Sequence, residues 1–367
     1  MPAQNFVKSF QACLVGEGLI SYEDFVEKKD LENVNEHTLG KRISIDDLEK
    51  IHLLKNVSEQ TLDFKLGWFS RMKNVNLLYL GRWSASSEDH IEVEDTAFLE
   101  GLENMKYLKF LSLQRVWNII SLPESISQLK NLKILDLRAC LHLERLPEEI
   151  GLIKSLTHLD MSECHLLSYM PKTLSSLVKL KVLKGFAVGI KIWKSSRELG
   201  DLRKLENLIE LSIHTVLEKF PDKDHVKALE ELKELKKLKI TWRGYALRAE
   251  NGHHSTSNGS KPTVKLPSKV EKLDLEHFPM SKIPSWWGHL NLKKLYIRGG
   301  KFSDLGQYQD WNVKEKYTWK VETLHLKYLS DIELDWKQLQ ELFPDLVYLD
   351  QVNCPKLTFV PCDANGL

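Results

Sequence analysis

Three successive segments of this chain repeat one spacing of apolar residues, and that spacing restricts the fold more than any other feature. Leu108 opens LKFLSLQRV and is followed by Ile119, Leu122 and Pro123. Leu132 opens LKILDLRAC, followed by Leu143, Leu146 and Pro147. Leu156 opens LTHLDMSEC, followed by Leu167, Met170 and Pro171. The starts lie 24 residues apart each time. The shared template is L-x-x-L-x-L-x-x-C, then apolar residues three and six positions on, then Pro. A fixed period of this kind marks a stacked-repeat architecture.

The physics follows from the template. The x-L-x-L alternation makes a short strand with every second side chain on one face. One unit cannot bury that row alone, but parallel stacking joins the rows into a continuous core. The expected fold is therefore an α/β leucine-rich-repeat solenoid. It is curved, with parallel strands on the concave face and short helices and turns on the convex face. Starts can be placed at Leu48, Val75, Leu108, Leu132, Leu156, Leu180, Leu208, Leu235, Val270, Leu292, Val321 and Leu346. These give about twelve units over residues 48–360, and only Gly185 and Gln351 fail at the leading apolar positions. The ninth position holds Asn56, Cys140, Cys164 and Cys354 in four units. A small polar side chain there is suited to satisfy turn backbone that would otherwise be buried unpaired. Pro after the later apolar pair suits the convex side, where no ladder bond is needed. PEEIGLIKS and PKTLSSLVK read as short helices or turns.

The beat is interrupted between Val75 and Leu108, between Leu235 and Val270, and between Val321 and Leu346. The second gap contains RAENGHHSTSNGSKPT, which reads as a mobile loop over 244–266. Its adjacent His253 and His254 read as solvent-exposed rather than as metal ligands. KALEELKELKKL, residues 227–238, has leucines at helical spacing and predicts one convex-side helix whose Leu face joins the core. Residues 1–47 do not fit the template and are expected to cap the first repeat or to be the remnant of a neighbouring domain. Residues 361–367 form a short tail.

Charge and motifs narrow the function. Lys plus Arg number 52 and Asp plus Glu 51, so bulk charge gives no reason to expect nucleic acid as partner. Five cysteines do not make a disulfide framework, and Cys140 and Cys164 lack the C-x-x-C spacing of a metal site. The N-terminus shows no apolar leader, and no stretch is long enough to span a membrane. The expected location is the cytoplasm. No phosphate loop is present, since Gly299-Gly300-Lys301-Phe302 lacks its first Gly and its hydroxyl. G-x-S-x-G and H-E-x-x-H are absent as well. We expect no enzyme activity, no cofactor and no metal. What remains is a surface for a protein partner. Residues flanking the second leucine of each strand face outward, and those selected as candidate binding residues are Gln114, Asp136, Arg138, Asp160, Ser162, His214 and Arg298. Trp242 is added as a candidate anchor, because Trp concentrates interface energy; Trp286 and Trp287 are similar candidates.

SLPESISQLKNLKILDLRACLHLERLPEEIGLIKSLTHLDMSEC and MPKTLSSLVKLKVLKGF resemble the repeat region of plant disease-resistance receptors of the nucleotide-binding, leucine-rich-repeat, coiled-coil class. LVGEGLI, residues 14–20, is similar to a segment of their winged-helix domain, with Leu14 in place of Trp. The resemblance implies that residues 1–47 are a winged-helix remnant. It also implies sensing of a pathogen effector or guarded host protein, and restraint of the receptor until then. The family's nucleotide switch has no counterpart among these residues. A general cytosolic scaffold or adaptor remains the alternative.

Overall fold

The computed structural model describes residues 10–15, 18–21, 45–56, 61–62, 67–81, 90–93, 96–189, 199–243, 266–282, 291–305 and 318–358. The chain divides into two compact units, Met1–Gly185 and Phe186–Leu367. In the first, β1 (Phe10–Val15) and β2 (Gly18–Ser21) form an antiparallel hairpin, and β1 runs parallel to β3 (Ile51–Asn56). Three short strands follow: β4 (Thr61–Leu62), β5 (Leu77–Tyr79) and β6 (Glu92–Val93). β4 pairs with β6, while β5 continues the main sheet from β3. The sheet proceeds through β7 (Phe110–Ser112), β8 (Ile134–Asp136), β9 (His158–Asp160) and β10 (Val182–Val188), all parallel.

The second unit repeats the plan. β11 (Glu210–Thr215), β12 (Lys237–Trp242), β13 (Lys272–Phe278), β14 (Lys294–Gly300) and β15 (Thr323–Lys327) are parallel neighbours in that order. β16 (Leu334–Asp335) pairs with β18 (Leu357–Thr358), and β17 (Tyr348–Val352) adds to β15.

Register carries the core. Leu54, Leu78, Leu111, Leu135, Leu159 and Leu183 stand opposite one another on successive strands and are fully buried. Leu211, Leu238, Leu273, Leu295 and Leu324 form the matching row of the second unit. Each such side chain contributes roughly 1.5–3 kcal/mol relative to exposure. On the opposite side, Pro123, Pro147 and Pro171 precede 3-10 helices at Glu124–Gln128, Glu148–Leu152 and Lys172–Ser176. Proline's locked φ fits a helix start, and its missing N–H removes a donor that has no partner there. Ile126, Ile150 and Leu174 turn inward from these helices.

The regular units share a backbone device. Arg115, Ala139, Glu163, His277, Tyr328 and Asn353 all occupy template position eight and adopt left-handed φ between 52° and 64°. The turn swings position nine inward, burying Val116, Cys140, Cys164, Phe278, Leu329 and Cys354. The three thiols donate to carbonyls of the preceding unit: Cys140 Sγ to Leu113 O at 3.0 Å, Cys164 Sγ to Leu137 O at 3.0 Å and Cys354 Sγ to Leu326 O at 3.4 Å.

Two expectations are corrected. The first leucine-rich repeat begins at Ile51 rather than Leu48, because Leu54 is opposite Leu78. Asn56 therefore sits at position six, where its Nδ2 donates to Leu80 O at 3.1 Å. The L-x-x-L-x-x-L run left the frame ambiguous by one step of three. The helix expected over 227–238 instead spans Lys223–Glu230, with Asp222 accepting from the backbone N–H of Asp224 and His225. Leu229, Leu232 and Leu235 are buried, but β12 already begins at Lys237. The loop expected over 244–266 lies outside the described residues except Leu266, which is buried. His253, His254, Trp286, Trp287 and the tail 361–367 also lie outside them.

Candidate functional site

A period of 24 residues places template position five of each unit directly beside its counterpart. Ser112, Asp136, Asp160 and Lys184 thus form one outward column across β7 to β10. Ser112 Oγ donates to Asp136 Oδ2 at 3.3 Å. Arg138 grips the same carboxylate with Nε to Oδ1 at 3.0 Å and Nη2 to Oδ2 at 2.9 Å. Its Nη2 also donates to Gln114 Oε1 at 2.9 Å, and its Nε lies 3.8 Å from Asp160 Oδ2. Lys184 Nζ approaches that same oxygen at 3.9 Å, and the Ser162 backbone N–H donates to Asp160 Oδ1 at 3.0 Å. Asp136 is nearly buried while Arg138 is 36% exposed, so the guanidinium is ordered from beneath and open above. The hydrogen bonds that Arg138 donates to Asp136 push its guanidinium value up against the opposing effect of burial. Burial pushes the Tyr79 phenol up, and the charge on Asp136 adds to the effect.

The second unit carries a similar array. Arg298 Nη2 donates to Asp274 Oδ1 at 2.9 Å and to Oδ2 at 3.1 Å, and stands 3.8 Å from Glu276. Glu276 also receives Lys239 at 2.9 Å and the Thr241 hydroxyl at 3.1 Å. Burial acts to raise the Glu276 carboxyl, but these cationic and hydroxyl partners hold it below the ordinary range. Asp350 receives His325 at 2.8 Å and Lys327 at 2.7 Å.

A family model described as a leucine-rich repeat region matches residues 69–304. The chain belongs to that family. It is 29% identical over 191 residues to Disease resistance RPP13-like protein 4 of Arabidopsis thaliana, a match covering 50% of this chain and 21% of that protein. The match therefore spans about a fifth of the relative's length. Among solved structures, an internalin of Listeria monocytogenes str. 4b F2365 shares the fold at TM-score 0.53 and 14% identity, covering 93% of this chain and 95% of its own. A leucine-rich-repeat protein of Leptospira interrogans gives TM-score 0.46 at 19% identity, covering 83% and 80%. The parallel repeat sheet and the short helices between its strands thus rest on strand register, the family model and the likeness to the internalin fold.

Of the candidate binding residues, the leucine-rich repeat brings Gln114, Asp136, Arg138, Asp160 and Ser162 into one bonded group in the first unit. His214 and Arg298 lie in the second unit, on β11 and β14, with His214 only 7% exposed. Trp242 is corrected: it is 2% exposed and packs edge-on against Phe278 at 5.1 Å. β12 stays extended through position eight, with no left-handed residue there, so alternation sends Trp242 inward with Leu238 and Ile240. Lys184, Asp350 and Tyr79 were missed. The same template positions point to Lys184 and Asp350, but their units break the apolar pattern at Gly185 and Gln351. Among the described residues, no group of three or more His, Cys, Asp or Glu is placed to hold a metal ion. Among them too, no helix is long and apolar enough to cross a membrane.

Proposed function

We propose that this chain is a non-enzymatic protein-recognition module that acts in the cytoplasm as the repeat region of a plant immune receptor. It binds a pathogen effector, a guarded host protein or the receptor's own nucleotide-binding module through the outward side chains of its strands. The likeness to a disease-resistance protein over half the chain supports the setting. The observation that carries the mode of binding is Arg138. Held by Asp136 and Gln114, its guanidinium has already lost the rotamer freedom a partner would otherwise have to remove.

The test is affinity capture of the full chain from plant tissue, with and without pathogen challenge. Arg138→Glu and Asp160→Lys are expected to abolish recovery of a defence component while leaving the fold unchanged by circular dichroism. Recovery of only a stable housekeeping complex in unchallenged tissue would establish a general scaffold instead. Capture unaffected by both reversals removes the proposal.

A further inference from the structure

Most charges on the outward face of the second unit are matched. Asp274 is taken by Arg298, Glu276 by Lys239 and Arg298, and Asp350 by Lys327 and His325. One column is different. Lys237, Lys272 and Lys294 stand opposite one another on β12, β13 and β14. Neighbouring strands are about 4.8 Å apart, and like charges directly opposite destabilise a sheet. Lys237 pairs with Glu210 at 3.3 Å. Lys272 has no acid at ion-pair distance among the described residues; its ammonium lies over the Tyr296 ring, 4.0 Å from the centroid. Lys294 is exposed and has no acidic partner among the described residues.

Beside this column runs a row of rings. Tyr296 and His325 have centroids 4.0 Å apart, and His325 and Tyr348 5.6 Å. Tyr348 is 54% exposed. Concentrated positive charge next to amphipathic rings is a surface for an anionic partner with apolar groups at its flank.

The spacing narrows the partner. Residues three and four apart on a helix are about 5–6 Å apart, close to the strand spacing. Residues i and i+7 rise about 10.5 Å, close to the two strand steps from Lys237 to Lys294. A uniformly charged nucleic-acid backbone fits less well, because Glu210, Asp274, Glu276 and Asp350 border the column. We propose that Lys237, Lys272 and Lys294, with Tyr296, His325 and Tyr348, dock an acidic helix of a protein partner. The helix lies across the strands and carries carboxylates at i, i+3 or i+4, and i+7. The proposal rests on the protein-recognition reading above and names the partner's chemistry.

The test uses the full chain and a fluorescein-labelled alanine-rich helical peptide with Glu at those positions and one flanking Tyr. The controls are the same peptide with Gln for each Glu and a single-stranded DNA oligonucleotide of equal charge. The Glu peptide is expected to bind at least tenfold more tightly than either control, and more weakly as salt rises. The double substitution Lys272→Glu with Lys294→Glu is expected to weaken binding at least tenfold, and Lys272→Gln with Lys294→Gln less. Lys130→Glu, in the first unit, leaves it unchanged. Equal binding of the Gln peptide, preference for DNA, or indifference to the lysine reversals overturns the proposal. If these results come with loss of partner capture on Arg138→Glu, only the acidic-helix assignment falls. If the peptide binds as stated while capture survives that reversal, the mode of binding through Arg138 falls instead.

Discussion

Cys164 Sγ donates to the carbonyl of Leu137 in the preceding unit at 3.0 Å, and Cys140 Sγ does the same to Leu113. The sulfurs add a second hydrogen bond to carbonyls that already accept from the backbone N–H of Cys140 (Leu137) at 3.2 Å and of Val116 (Leu113) at 3.0 Å. Burial raises the Cys140 thiol well above its ordinary value, and the neighbouring Cys164 adds to the effect. Both thiols are therefore expected to resist alkylation in the native protein, by on the order of a thousandfold or more relative to urea-unfolded chain. Pulsed iodoacetamide labelling read by mass spectrometry checks this. Cys164→Ala removes the second donor while the Leu137 carbonyl keeps its backbone partner, and should cost about 0.5–1.5 kcal/mol.

Gly185 has φ of +80°, and a Cβ built on it falls 2.3 Å from Met161 O. Gly185→Ala is expected to destabilise by about 2–5 kcal/mol, combining backbone strain with a clash against main chain. Gly200 meets nothing within 4 Å and is the control. Gly200→Ala should be neutral or stabilise by up to about 1 kcal/mol. Urea midpoints of the two variants decide the matter.

Glu148 joins two convex turns. It accepts from the Tyr169 hydroxyl at 2.5 Å and from the Lys172 and Thr173 backbone N–H at 3.2 Å each, while its own carbonyl accepts from the Thr173 hydroxyl. Burial acts to raise its carboxyl, but these donors outweigh it and hold the carboxyl below the ordinary 4.5. A depressed folded value means the ionised form is favoured by folding. Its contribution is thus complete above about pH 4.5 and is lost as pH falls through the lower folded value. Glu148→Gln should reduce stability at neutral pH and flatten the acid limb of the Tm-against-pH curve. An unchanged acid limb would count against the staple.

Ala139 occupies the left-handed position eight with φ of 54°. Ala139→Gly relieves about 1–2 kcal/mol of strain and returns roughly 0.5–1 kcal/mol in unfolded-state entropy, so stability should stay within about 1 kcal/mol of the parent. Ala139→Val, branched at Cβ, should cost about 1–3 kcal/mol. Thermal melts of the pair test whether position eight sets the turn.

The repeat itself was legible because Leu108, Leu132 and Leu156 fall at one period and their neighbours alternate. The frame of the first repeat was not, since Leu48, Ile51 and Leu54 are equally spaced and only pairing of Leu54 with Leu78 chooses among them. The convex helix was misplaced because its cap, Asp222, precedes the leucine pattern that drew attention to 227–238. Position eight carries no side-chain signal, being Arg, Ala, Glu, His, Tyr or Asn, so its left-handed turn was invisible. Trp242 was misread for the same reason: whether a chain turns or stays extended there decides which face the residue joins. The column of Asp136 and Asp160 followed directly from the period, whereas Lys184 was lost behind Gly185.

Arg138 holds side chains from three successive coils: Gln114, Asp136 and Asp160. Its orientation is consequently shared between its own coil, through Asp136, and the two coils on either side. Editing Gln114 or Asp160 re-aims a group displayed by a neighbouring coil, so energies of paired substitutions across adjacent coils will not add.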